Sequence, residues 1–307
     1  MRDALRYAGV KSGDSVMIPN FICRDLLAAV NEVGAKTIYY EVDRTLKPVN
    51  LDTTKVVKAI VAVNYFGFPQ DLRIFRDFAM ATRAVVIEDN AHGYLSRDED
   101  NQLLGSREKF GITSFRKTLR VEDGAILTTT LSELEIDAQL PYNDAASSNR
   151  TRLLQLFSDF EIRTKIPTVA VGQFISQIIR FVTTGSRLPK RDEFAEIKIP
   201  GLPNPHRLSI DCLRLLNEKN EIARRRSLYL KLQPQVVAVG AKPIFDTLPD
   251  NTCPYGLPVY ATPSLKRKLA RIAHRNRVTL MTWPDLPNEV LPNAPDFLKN
   301  VWLLNFK

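Results

Sequence analysis

Between residues 15 and 129 the chain alternates short, nearly continuous apolar runs with segments of helical periodicity, and this alternation leaves few folds open. Residues 15–19, 36–42, 57–64 and 84–89 read as strands, with two shorter ones at 111–115 and 125–129. Residues 24–33 and 71–80 read as helices, the first stopped at Gly34 and the second capped by Asp71 or its predecessor. Strands that are apolar on both faces need cover on both faces. The pattern therefore predicts an α/β fold with a mainly parallel central sheet flanked by helices. Sheets of this kind take ligands at the carboxyl ends of their strands.

From about residue 131 strand signals fade and helical ones dominate. Residues 166–181 predict an apolar helix, and 185–205, rich in Pro, Lys and Arg, a loop. Residues 209–232 predict one long helix with Arg224, Arg225 and Arg226 on its wet face. The remainder mixes short strands with a basic helix at 264–275. The expected division is a large domain over 1–208, with its sheet in 1–130 and a helical region in 131–208. A connecting helix and a smaller C-terminal α+β domain then fill 209–307.

The 307 residues suffice for a large core. No apolar run reaches the roughly 20 residues of a membrane span, and no signal-peptide core follows Met1, so the reading takes the cytoplasm as location and no membrane partner. Cys23, Cys212 and Cys253 have neither metal-ligand nor disulfide-framework spacing, and no metal is expected. A net charge of +9 favours anionic partners. No helix-turn-helix, RNA-binding or zinc signature accompanies it, so nucleic acid is set aside.

The chemistry concentrates in two stretches. Val85-Val86-Ile87-Glu88-Asp89-Asn90-Ala91-His92 is an apolar run ending in an acid, and Ser114-Phe115-Arg116-Lys117 sets a hydroxyl and a lysine three apart behind another apolar run. The segment between them has room for a loop, a short strand and a turn, so they can meet at one sheet edge. An acid at a strand end and a lysine on a nearby loop are what pyridoxal phosphate needs: the lysine holds the aldehyde, and the acid keeps the pyridine nitrogen protonated so that the ring accepts electrons. Each residue also has a plain reading. Asp89 can cap the next helix, His92 can be a satisfied structural histidine, and Lys117 can be a solvated loop lysine. Arg116 and Arg120 can depress a reactive lysine or grip an anion. Asn64, in Asn64-Tyr65-Phe66-Gly67, can line the same pocket or belong to an ordinary turn, and Cys23 can face a cofactor ring or lie inert in the core.

At these residues the sequence resembles the sugar-nucleotide aminotransferases of the DegT/DnrJ/StrS group, enzymes of the PLP-dependent transferase type I fold. The matching pieces run in order: Gly13-Asp14-Ser15-Val16-Met17-Ile18-Pro19, Gly34-Ala35-Lys36 with Glu41-Val42-Asp43, Val63 to Pro69, Ile87 to His92, Gly105-Ser106, and Ser114 to Gly124. The resemblance covers residues 3–130. It implies that Lys117 is the catalytic, cofactor-bearing lysine and that Asp89 pairs with the pyridine nitrogen. It puts His92 near the ring hydroxyl and makes Ser114 a phosphate ligand. Asn64 stands where histidine is usual, and Cys23 where an aromatic often stacks on the ring. The Ser-Gly-Thr helix start that precedes the first strand in relatives is not seen ahead of Gly13.

What the resemblance implies is a pyridoxal phosphate-dependent aminotransferase. It would pass an amine from a donor, glutamate, to a keto-sugar, nucleotide-linked, in sugar or polysaccharide biosynthesis. A homodimer is implied as well. The alternative is a non-catalytic or divergent relative that has lost tight pyridoxal phosphate binding. Should Lys117 fail as the reactive lysine, Lys109 is next.

Overall fold

The computed structural model describes residues 1–119, 121, 123–131, 194–199 and 204–307. The expected helix at 166–181 and position Arg120 lie outside these residues, as does most of the 185–205 loop.

A short helix α1 (Arg2–Tyr7) leads into β1 (Ser15–Pro19), α2 (Asp25–Glu32), β2 (Lys36–Val42), β3 (Pro48–Val49) and β4 (Ala59–Val63). Next come α3 (Arg73–Thr82), β5 (Val85–Asn90), β6 (Phe110–Thr113), a one-turn helix α4 (Phe115–Thr118) and β7 (Ile126–Thr129). The seven strands form one sheet in the order β3-β2-β1-β4-β5-β6-β7. Neighbours from β2 through β6 pair in parallel, and the edge strands β3 and β7 pair antiparallel. The central strand β4, Ala-Ile-Val-Ala-Val, is buried at every position, as the unbroken apolar run requires.

The chain runs from β1 to β2 on one side and returns to place β4 on the other side of β1. This reversal opens a crevice at the carboxyl ends of β1 and β4, the position at which such sheets bind ligands. Cys23, Asn64 and Asp89 all sit at or just past these strand ends.

Beyond the first sheet lie α5 (Arg207–Arg214), α6 (Glu218–Ala238), β8 (Lys242–Pro243), β9 (Gly256–Tyr260), α7 (Lys266–Arg275), β10 (Thr279–Thr282), α8 (Asp296–Lys299) and β11 (Val301–Asn305). Their strands form a separate antiparallel sheet in the order β10-β11-β9-β8. Helix α6 and residues of both sheets share one apolar core, which includes Ile60, Val61, Tyr229, Leu232, Leu257 and Leu303.

Three expectations need correction. Residues 209–232 are not one helix: the chain breaks after Arg214, and the Asn217 side chain caps a new helix by accepting the Asn220 N–H at 3.1 Å. Phe115 belongs to α4 rather than to the strand before it. The Arg224–Arg226 run is not a wet face throughout, because the Arg225 side chain is fully buried between an exposed Arg224 and a half-buried Arg226.

Candidate active site

Consecutive residues on a strand point to opposite faces, and β5 uses this at Glu88 and Asp89. Glu88 has no exposed surface and enters a charged cluster. Its carboxylate accepts the Arg107 backbone N–H at 2.9 Å, the Arg107 guanidinium at 2.7–2.8 Å and the Asn64 amide at 2.8 Å. The Asn64 carbonyl accepts from Arg107 and from the Gln70 backbone, both at 2.9 Å. The expectation that Asn64 faces the cofactor is thus corrected. Its amide is committed to Glu88 and Arg107, on the face turned away from Asp89.

Asp89 looks the other way. It is 5% exposed, and Oδ1 accepts the Ala91 N–H at 2.9 Å. Burial pushes its pKa up. Lys117 and the Met1 amino group lie near enough to pull it back in part, through Coulomb attraction rather than a hydrogen bond.

Lys117 is carried by α4, at the carboxyl end of β6. Its Nζ reaches inward to within 3.4 Å of Nε2 of the buried His92. Burial depresses the amine, opposed by the negative charge of Asp89 and by Cys23. Lys109 precedes β6 and so lies at the amino end of the sheet, exposed, with its ammonium 6.0 Å from the Phe110 ring centroid. Topology therefore separates the two lysines, and Lys117 alone of the pair shares the strand end with Asp89.

His92 is closed in by aromatics. Phe66 stacks on it with centroids 5.6 Å apart and Tyr255 with centroids 4.7 Å apart, while Trp283 meets it edge-on. Both faces of the imidazole are covered, so its contribution is made at the ring edge, through Nε2. Burial and the neighbouring Lys117 hold its pKa well below the usual range, which keeps the ring neutral. Phe66 reaches this position from a left-handed backbone, φ 56°, in the turn after β4. The next residue, Gly67, is also left-handed, and a Cβ there would lie 2.7 Å from the Cys253 carbonyl.

Ser114 precedes α4 and is half-buried, with its hydroxyl 3.5 Å from the Gly124 carbonyl. Cys23 is half-buried and close enough to Lys117 for each to act on the other's charge; burial pushes its thiol up. Arg116 is exposed, and its carbonyl accepts Lys307 Nζ at 2.6 Å.

The structure thus brings Lys117, His92, Asp89 and Cys23 to one strand-end cluster, with Ser114 on the same turn. Tyr255 and Trp283 complete the cluster from the second sheet's region. Nothing in their local sequence marks them, because only the tertiary fold sets them against His92. Among the described residues no group of three or more His, Cys, Asp or Glu is arranged to hold a metal, and no helix is long and apolar enough to cross a membrane.

Residues 1–160 match the profile of the DegT/DnrJ/EryC1/StrS aminotransferase family. A UDP-N-acetyl-3-dehydro-alpha-D-glucosamine 3-aminotransferase from Acidithiobacillus ferrooxidans is 31% identical over 140 residues, 43% of this chain and 38% of that protein. The match therefore spans well under half of the curated relative's length. Two solved structures share the fold across 99% of this chain at 14% identity. One is a DegT DnrJ EryC1 StrS aminotransferase from Brucella abortus, with a TM-score of 0.61 and 77% of its chain covered. The other is the Helicobacter pylori PseC aminotransferase, with a TM-score of 0.62 and 78% covered. The architecture is that of the PLP-dependent transferase type I fold.

The cofactor of these enzymes is pyridoxal phosphate, and the cluster suits it. A buried carboxylate that accepts the Ala91 N–H and carries no side-chain hydrogen bond among the described residues has capacity for a protonated ring nitrogen. A desolvated amine beside it has the reactivity that holding an aldehyde requires. Fold, cluster and a profile match over more than half of the sequence agree: the chain belongs to the DegT/DnrJ/EryC1/StrS aminotransferase family.

Proposed function

We propose that this chain transfers an amino group from glutamate to a keto-sugar, nucleotide-linked, with pyridoxal phosphate held by Lys117, Asp89, His92 and Ser114. The observation that carries the reading is the half-buried Lys117, whose amine lies 3.4 Å from Nε2 of His92 and under the charge of Asp89. The sugar nucleotide is inferred from the Acidithiobacillus ferrooxidans relative, whose name states such a substrate.

Pyridoxal phosphate supplies an electron sink for carbon–hydrogen cleavage next to the transferred nitrogen. Asp89 would hold the proton on its ring nitrogen. Lys117 Nζ, its basicity lowered by burial, would take the proton from the donor's α-carbon. His92 Nε2 orients that amine from the ring edge, and the Ser114 hydroxyl donates to phosphate. Cys23 is assigned to the wall beside the ring. A homodimer and the biosynthetic role belong to the same proposal and rest on family likeness; a cytoplasmic setting and the division at residue 208 belong to it too and rest on the sequence pattern.

The test is a single half-reaction. Purified chain is loaded with pyridoxal phosphate and given glutamate without sugar. The proposal expects 2-oxoglutarate in an amount matching the bound cofactor, together with loss of the visible absorbance. Bound cofactor that never yields 2-oxoglutarate from glutamate would favour the non-catalytic relative.

A further inference from the structure

Arg225 lies in the second helical turn of α6, far in sequence from every residue assigned to the site. The side chains on either side of it, Arg224 and Arg226, reach the surface, whereas Arg225 is turned inward with no exposed side-chain surface. Nη2 donates to the Thr118 carbonyl at 2.6 Å. Nη1 donates to the carbonyls of Tyr255 at 3.1 Å and Pro254 at 3.3 Å. Nε donates to Oε1 of Glu221 at 2.6 Å, so the buried cation has its counter-charge one turn back.

These partners are not scattered. Thr118 is bonded to Lys117, and its carbonyl is one of those that a helix end leaves without an intrahelical donor. Tyr255 carries the ring that stacks on His92, and His92 Nε2 is the atom facing Lys117 Nζ. The contacts therefore close a loop from Lys117 through Thr118, Arg225, Tyr255 and His92 back to Lys117. Three segments remote in sequence are fixed by one guanidinium. Its planar fork serves three carbonyls and a carboxylate at once, which a lysine ammonium cannot reproduce.

We propose that Arg225 is a positioning residue that fixes the Lys117 amine against His92 by clamping the Thr118 and Tyr255 carbonyls. The inference rests on the proposed function only in taking Lys117 as the reactive amine. Without the clamp, α4 gains freedom, the amine reaches water, and the burial that depresses it is relieved.

The test uses the full chain free of cofactor and substrate. Lys117 is acylated with acetic anhydride across a pH series, and its modification rate is read by peptide mass. Arg225→Gln is expected to move the Lys117 midpoint up by about one pH unit, and Arg225→Lys by less in the same direction. Tyr229→Phe, which removes a part-buried hydrogen bond one turn along the same helix, is expected to leave the midpoint in place. A wild-type midpoint in Arg225→Gln overturns the proposal, as does an equal displacement in Tyr229→Phe. Should Arg225→Gln fail to fold, a wild-type midpoint in Arg225→Lys overturns it. Neither pyridoxal phosphate nor glutamate enters the measurement, so failure of transamination in the wild type would sink the functional reading and leave this result standing.

Discussion

The Lys117 amine lies 3.4 Å from Nε2 of His92, a ring whose faces are closed by Phe66 and Tyr255. The contact sets two groups that normally carry protons side by side in a desolvated pocket. Each makes the other's charged form less favourable, and Asp89 is the acid that partly relieves Lys117. An amine of lowered basicity set against an imidazole nitrogen at a sheet edge is an arrangement for chemistry rather than for stability.

Replacing Lys117 should therefore remove function and spare the fold. Lys117→Ala is expected to abolish release of 2-oxoglutarate from glutamate. Its circular dichroism and unfolding midpoint should match or exceed the wild type, since a desolvated amine is lost. Lys109→Ala, at the other end of the sheet, should retain full activity. The pair is compared by activity and thermal melts on the same preparations.

Asp89→Asn should separate stability from rate. Burial raises the Asp89 pKa, so the folded chain holds a proton that the unfolded chain has shed. Stability therefore falls as pH rises from the ordinary carboxylate range through the raised value, and the deficit persists at neutral pH. The neutral amide removes it. We expect the cofactor-free variant to be more stable than the wild type at neutral pH. Some cofactor binding should remain, with most of the rate lost because the ring nitrogen is no longer kept protonated. Urea melts at pH 7 and the half-reaction rate check the two halves.

His92 predicts an acid-sensitive fold. Its pKa is depressed in the folded chain, so below the unfolded value of about 6.5 the unfolded chain takes up a proton that the folded one refuses. Stability should fall as pH drops through that range, by up to about 1.4 kcal/mol per pH unit for one proton. His92→Phe keeps the aromatic stack and deletes the titration. Its unfolding free energy between pH 7 and 5 should lose that part of the slope, and an unchanged slope would assign the sensitivity elsewhere.

Arg107 is expected to matter through Glu88. Arg107→Met leaves a fully buried carboxylate without its cation, at a cost of about 3–5 kcal/mol. Adding Glu88→Gln should recover much of that loss, because the buried charge itself is gone. A double-mutant cycle by denaturant melts reads the coupling. Two independent losses that simply add would show that the pair is not a unit.

Much of the N-terminal sheet was legible, because β1, β2, β4 and β5 are near-continuous apolar runs and the helices between them are periodic and end at breakers such as Gly34. That Asp89, His92 and Lys117 meet at one strand end was legible from their strand-end positions. Asn64 was misread: sequence reveals its place at a strand end but not which sheet face its side chain takes, and Glu88 claims it. Arg225 was misread because a run of three arginines on a helix looks alike at every position, and only tertiary packing turns the middle one inward. Tyr255 and Trp283 were invisible, since their role is a contact with His92 made across the fold.

The central claim is that the lysine beside His92 and Asp89 is the one that bears pyridoxal phosphate. Borohydride reduction of the cofactor-loaded chain, followed by peptide mapping, tests it directly. The account predicts one phosphopyridoxyl group per chain, on Lys117. A label on Lys109 or another lysine, or no label at saturating cofactor, would contradict it.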